Sequence, residues 1–209
     1  MMTRKELENL LIEYGHLMWQ KNFTPGTSGN MSFRFGDKIL ITASGSANGF
    51  LKPDDIVLID YHGNAVSGES KKPSSEKLLH TEIYKKRQDV NVILHVHSPY
   101  LCSFASSKIA LDKPVMAEIS YYFGKIPLAD YALPSTKKLA DNTVKFFNEY
   151  DAVLMANHGF VVASKNIEDA YQKLELAESY AQVVFNTYVL GGAKYLTKEQ
   201  NDEILALRC

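Results

Sequence analysis

The sequence predicts a mainly antiparallel sheet with helices packed on it, an α+β or three-layer arrangement in one domain spanning residues 1–209. Strand-like runs occur in pairs around turn residues: MSFRF with KILITA, and IVLID with NAVSG. Buried-strand runs without alternation (VNVILHV, AVLMA and FVVA) supply the middle of a sheet. Runs with helical periodicity separate them, and 209 residues sit at the upper end of one ordinary domain.

The first helix is expected after Thr3, with Glu6 three residues on as in a capping box; Leu7, Leu10, Leu11, Tyr14, Leu17 and Met18 then recur at helical spacing. Thr24-Pro25-Gly26 ends it. Gly36-Asp37 and His62-Gly63 mark the turns of the two hairpins. A helix capped by Ser74 or Ser75 runs to about Arg87, and the strand VNVILHV stops at Ser98-Pro99, where another helix starts. Residues 113–134, rich in proline and tyrosine, read as short strands and loops. A helix over Ser135–Asn148 leads into AVLMA, His158-Gly159 and FVVA; a long helix follows from Ile167 to Leu190, then a short one over Lys198–Arg208.

Hydrophobic residues make up 45% and charged residues 22%, which suffices for a buried core. A net charge of −1 gives no basic footprint for nucleic acid or anionic membrane, so an anionic ligand has to be caught by a local pocket. The N-terminus lacks the apolar core of a signal peptide, and no run approaches a membrane span. Cys102 and Cys209 do not form a disulfide framework, and a cytoplasmic location is expected.

His95 and His97 lie two apart in an apolar strand, which puts both imidazoles on one face. A pair of buried or surface histidines would fit that spacing as well as a pair of ligands. His158, at the end of another buried strand and beside Gly159, reads singly as a turn residue. The three together favour a zinc tripod with an open fourth position. Glu76 in PSSE reads locally as helix-capping chemistry, and His80 one turn on as a buried hydrogen-bonding partner. His16 and His62 read as surface or packing residues. Gly26-Thr27-Ser28-Gly29-Asn30, Thr42-Ala43-Ser44-Gly45 and Ser74-Ser75 each offer hydroxyls and backbone N–H groups; singly they are plain turns, and convergent they would hold a phosphate.

In order, G-T-S-G-N-M-S, I-T-A-S-G, P-S-S-E-x-x-x-H, H-V-H-S and N-H-G resemble the class II aldolase/adducin family, its fuculose-phosphate aldolase branch most closely, over about Leu7 to Leu190. The resemblance implies an α/β fold, a three-layer α/β/α domain around a mainly antiparallel sheet. It also implies a homotetramer with active sites between subunits. It places zinc on His95, His97 and His158, the acidic catalytic residue on Glu76, and phosphate on Thr27, Gly29, Asn30, Ser44, Gly45, Ser74 and Ser75. The implied reaction is cleavage of a ketose 1-phosphate to dihydroxyacetone phosphate and a small aldehyde.

Two departures concern the aldehyde half. Where that branch carries a tyrosine donated across the subunit interface, an ungapped reading puts Glu118, with Tyr121 and Tyr122 just beyond; these three are the candidates for proton transfer there. The branch's tyrosine in the C-terminal tail has no counterpart after Tyr195. Within the family, epimerases typically carry Asp where this chain has Glu76, methylthioribulose-1-phosphate dehydratases keep the Glu and the histidines, and decarboxylases of keto-acid phosphates also belong. Adducin's non-enzymatic role goes with a degraded metal set, whereas all three histidines stand here.

Overall fold

A computed structural model describes residues 2–208. Helix α1 (Arg4–Gln20) begins at the expected capping box, with Thr3 and Glu6 each bonding the other's backbone N–H. Strands β1 (Asn30–Phe35) and β2 (Lys38–Thr42) form the first hairpin, Gly36 turning it at φ +60°. Strand β3 (Ile56–Ile59) pairs with β2. The expected partner strand NAVSG is reduced to a single bridge between Ala65 and Ile59. Asp60 accounts for the difference: its carboxylate accepts from the His62 and Asn64 N–H groups, which curls the chain into a turn where a ladder would need it extended.

Helix α2 (Lys77–Lys86), strand β4 (Val92–Val96) and helix α3 (Pro99–Ser106) follow as the sequence indicates. The stretch expected to hold only short strands and loops also contains a helix, α4 (Ala117–Tyr122), before strand β5 (Leu128–Ala129). No side chain caps α4, which is held by packing on later helices. Helix α5 (Lys137–Val144) is capped by Thr136 and ends in a 3-10 turn. Strands β6 (Ala152–Met155) and β7 (Gly159–Ser164), the long helix α6 (Ile167–Val189) and helix α7 (Lys198–Leu205) complete the chain; Cys209 lies outside the described residues.

Among the described residues the strands form one seven-stranded sheet, ordered β3-β2-β1-β4-β7-β6-β5, antiparallel except between β5 and β6. One face buries side chains of α1, α3, α4 and α6, and the other those of α2 and α5, so the domain has three layers. Along β4, Val92, Leu94 and Val96 enter the first core and Ile93 the second. His95 and His97 continue the Ile93 series, toward the face that α2 covers. No helix among the described residues is long and apolar enough to cross a membrane.

Candidate active site

Sheet register brings His95 between Asn30 of β1 and Val161 of β7. Its Nδ1 lies 2.9 Å from the carbonyl oxygen of Phe160, which can only accept. Nδ1 therefore carries the proton, and Nε2 is turned into the site. His97 follows immediately and is tied down by its N–H to the Phe23 carbonyl, at 3.0 Å. His158 sits in the β6–β7 turn, after Asn157 in the left-handed region at φ 54°.

The ring centroids of His95 lie 4.8 Å from those of both His97 and His158, which are 5.1 Å from each other. One nitrogen from each ring lies within 4.8 Å of the others. The Nε2 atoms of His95 and His97 approach to 3.0 Å. Two nitrogens on a tetrahedral zinc would be about 3.3 Å apart, from bonds of about 2.0–2.1 Å. Gly159 leaves room for this meeting: a Cβ there would lie 2.5 Å from the Val96 oxygen, 3.0 Å from His97 Cδ2 and 3.1 Å from His95 Cε1. Buried His158 Nδ1 has no hydrogen-bond partner among the described residues. Three neutral nitrogen donors, a flanking carboxylate and a space kept clear by glycine fit a borderline-soft divalent cation.

Glu76 departs from its local reading. It occupies the N-cap position of α2, yet its side chain caps nothing. Oε2 lies 2.9 Å from His95 Nε2 and Oε1 3.1 Å from His158 Nε2. Burial works against its charge, but the adjacent His95 and His158 outweigh that and hold the carboxyl well below the usual range. Burial likewise opposes charge on His95, whose pKa the Glu76 carboxylate nonetheless raises. His97 is pushed down to about 3 by burial and by charge on His95 and His158. His80 is fully buried, as expected of a hydrogen-bonding partner, with its pKa pushed down to about 3, chiefly by that burial.

The three hydroxyl and glycine clusters do converge. Thr27, Gly29, Asn30, Ser44, Gly45, Ser74 and Ser75 line one cavity of about 250 Å³, together with Glu76, His97 and His158. Backbone bonds join two of the clusters, Ser44 N–H to the Lys72 carbonyl at 2.9 Å and Ser74 N–H to Thr42 at 3.0 Å. Gly29, at φ +73°, packs so closely on β4 that a Cβ would meet the His95 oxygen at 2.6 Å. A larger, mostly apolar hollow of about 490 Å³ beside Leu7 and Phe33 carries no histidine, whereas the smaller cavity is lined by His97 and His158.

Four participants escaped the sequence reading. Ser46 and Ser135 line the cavity, Ser135 at φ 67°. Asn48 is buried and donates from Nδ2 to the Ser28 and Gly29 carbonyls at 3.0 and 3.4 Å, fixing that loop. Glu178 of α6 accepts from Ser98 Oγ (2.7 Å) and from the N–H groups of Tyr100 and Leu101 (both 2.9 Å), capping α3 directly behind His97. Only the positive φ at Asn157 had a partial signal, since asparagine tolerates that region. His16 and His62 are exposed and outside the site, as expected.

Glu118, Tyr121 and Tyr122 on α4 are not brought to the cavity within one chain. The two tyrosine rings pack edge to face at 5.1 Å, and Tyr122 lines a hollow with Asp169 and Lys173 at the start of α6. Ser164, which bonds Asp169, pairs with Val92, so this hollow lies at the end of β4 remote from His97.

Residues 9–185 match the family described as Class II Aldolase and Adducin N-terminal domain. The chain is 39% identical over 166 residues to an L-fuculose phosphate aldolase of Methanocaldococcus jannaschii, covering 79% of this chain and 88% of that one. It is 33% identical over 207 residues to a 5-deoxy-D-ribulose 1-phosphate aldolase of Bacillus thuringiensis, covering 98% and 95%. A 3-oxo-tetronate 4-phosphate decarboxylase of Pectobacterium atrosepticum is 31% identical over 202 residues, covering 93% and 90%. The solved structure of an L-fuculose 1-phosphate aldolase superposes with a TM-score of 0.90 at 31% identity, over 97% of this chain and 95% of that one. With its fold, its histidine cluster and these relatives in agreement, the chain belongs to the class II aldolase and adducin family.

Proposed function

We propose that this chain is a zinc-dependent aldolase that cleaves a ketose 1-phosphate, L-fuculose 1-phosphate or a related deoxy-ketose 1-phosphate, to dihydroxyacetone phosphate and a small aldehyde. One observation carries the reading: three imidazole nitrogens cluster beside the Glu76 carboxylate, and Glu76, His97 and His158 line a cavity shared with three loops of hydroxyls and glycines. His95, His97 and His158 would hold the ion. When bound, zinc supplies a Lewis acid for negative charge developing on a sugar oxygen.

Glu76 is the group that moves the proton at the substrate carbon next to that oxygen. Its two oxygens are within reach of the site, and it stays ionised while it waits. Thr27, Gly29, Asn30, Ser44, Gly45, Ser74 and Ser75 would bind the phosphate through neutral hydroxyl and N–H donors, Ser74 and Ser75 standing just ahead of α2. A cavity of about 250 Å³ suits a small metabolite. Glu118, Tyr121 or Tyr122 would serve the hydroxyl that becomes the aldehyde, from a neighbouring subunit of a homotetramer. The whole of residues 1–209 acts as one domain in the cytoplasm.

The test is to incubate the zinc-loaded protein with L-fuculose 1-phosphate and with 5-deoxyribulose 1-phosphate, coupling to dihydroxyacetone phosphate detection. Triose phosphate release supports the aldolase. Water loss without triose phosphate would move the assignment to a dehydratase, and carbon dioxide from a keto-acid phosphate to a decarboxylase. Protein purified without bound metal and inert to all three would favour a non-enzymatic role.

A further inference from the structure

Behind Glu76 a buried polar chain runs from the Asn30 side chain away from the histidine cluster and the phosphate loops. Asn30 Nδ2 donates to Glu76 Oε2 at 3.1 Å, Asn30 Oδ1 meets His80 Nε2 at 2.5 Å, and His80 Nδ1 lies 2.6 Å from Ser32 Oγ. Tyr84 closes the far end, its hydroxyl donating to the Ser32 carbonyl at 2.9 Å. Ser32, His80 and Tyr84 are 0% exposed and Asn30 6%.

Hydrogen-bond direction along this chain is forced from one end. A carboxylate only accepts, so the Asn30 amide must turn its NH2 to Glu76 and its oxygen to His80. That oxygen also only accepts, so His80 Nε2 carries the ring proton. The neutral ring then has its lone pair on Nδ1, which the Ser32 hydroxyl satisfies. We propose that His80 is a positioning residue: in the Nε2–H form that the Asn30 oxygen requires, with Ser32 on its other nitrogen, it fixes the Asn30 amide so that its NH2 anchors the Glu76 carboxylate beside the histidine cluster. Asn30 sits in register with His95 on the neighbouring strand, which gives the anchor a rigid base. Without the His80 donor nothing holds the amide oxygen from behind, the amide is free to swing, and Glu76 loses its fixed anchor. The Asn30 side chain thereby serves Glu76, and the phosphate loop draws on its other donors. This inference rests on the reading of Glu76 as the proton-transfer group.

The test compares His80→Gln with His80→Asn. A glutamine amide nitrogen stands as many bonds from Cβ as imidazole Nε2 and can donate to Asn30; an asparagine reaches only as far as Nδ1. With zinc-loaded enzyme and L-fuculose 1-phosphate or 5-deoxyribulose 1-phosphate, His80→Asn is expected to lower kcat about 10- to 100-fold, as loss of an outer partner does, with little change in KM and wild-type zinc content. His80→Gln is expected to recover most of that loss. Crystal structures of the two variants should show Glu76 displaced in the first and restored in the second. Nitrogen-15 spectra of the wild-type rings should give His80 the Nε2–H form, and Ser32→Ala should keep it, since the Asn30 oxygen still accepts from Nε2. Equal losses in both variants, or zinc lost in step with activity, would reduce His80 to a packing residue. An Nδ1–H ring, or an unmoved Glu76 in His80→Asn, would also overturn the proposal. If His80→Asn does not fold, the ring form in wild type and in Ser32→Ala decides. If wild-type enzyme leaves both sugars untouched, the aldolase reading fails, and the spectra and crystal structures still judge the anchor.

Discussion

Replacing Gly159 by alanine tests the histidine cluster without touching a ligand. The backbone there is not in the left-handed region, so the cost is contact alone. The new Cβ would stand 2.5 Å from the Val96 oxygen, with His97 Cδ2 at 3.0 Å and His95 Cε1 at 3.1 Å. An ordinary carbon–oxygen contact is about 3.3 Å, so β4 and the turn must separate by about 0.8 Å. Metal–ligand bonds tolerate only about 0.2 Å. Overpacking of this kind costs about 1–3 kcal/mol, equivalent to about 5- to 150-fold in affinity if the strain falls on the bound state. Zinc affinity would be measured by competition with a chromophoric chelator. Gly36→Ala is the control: at φ +60° it strains the first hairpin by about 1–2 kcal/mol, but nothing lies within 4 Å of its Cβ, and it should lower thermal stability while leaving zinc affinity unchanged. Wild-type affinity in Gly159→Ala would refute the reasoning, and so would an equal loss in Gly36→Ala.

Three further outcomes are expected. Glu76→Gln keeps zinc and loses turnover by about 100-fold or more, whereas His95→Ala loses both; metal analysis beside steady-state rates separates them, and a fully active Glu76→Gln would remove its assigned role. Because Glu76 raises the pKa of His95, the proton on Nε2 persists above the usual imidazole range and competes with the ion. Zinc affinity should therefore climb with pH and level off only once His95 has titrated, above the ordinary imidazole range, with proton release visible by calorimetry in two buffers; a flat profile would contradict this. Glu178→Ala strips the acceptor from Ser98 Oγ and two α3 N–H groups, and urea unfolding should show a loss of about 2–4 kcal/mol. A loss below about 0.5 kcal/mol would mean that water replaces the carboxylate.

Much of the site was legible because strand periodicity is a strict geometric rule. Two histidines two apart, one in β4 and one just past its end, had to share a face, and Gly159 after His158 leaves room for the close approach in the structure. The local pattern around Glu76 is ambiguous for a physical reason: a carboxylate at a helix start satisfies capping chemistry whether or not a histidine pair lies opposite, and only the tertiary fold shows that its side chain faces His95 and His158. Each phosphate loop looked like a plain turn for the same reason, since convergence is a property of the sheet. Asn48 and Glu178 act on backbone groups far along the chain, so no local pattern encodes them. The NAVSG strand failed because one aspartate side chain offered its backbone a competing set of partners.

The register of β1 on β4 sets Asn30 beside His95, and the β6–β7 turn delivers His158 to the same spot. A slip of β4 by one residue would send the His95 imidazole through to the opposite layer and shift His97 after it, while leaving a compact chain with much of its ladder intact. Such a mispaired protein could pass a test of helix content or size and yet hold no ion. Counting zinc per chain in a refolded preparation would thus double as a census of correctly aligned strands.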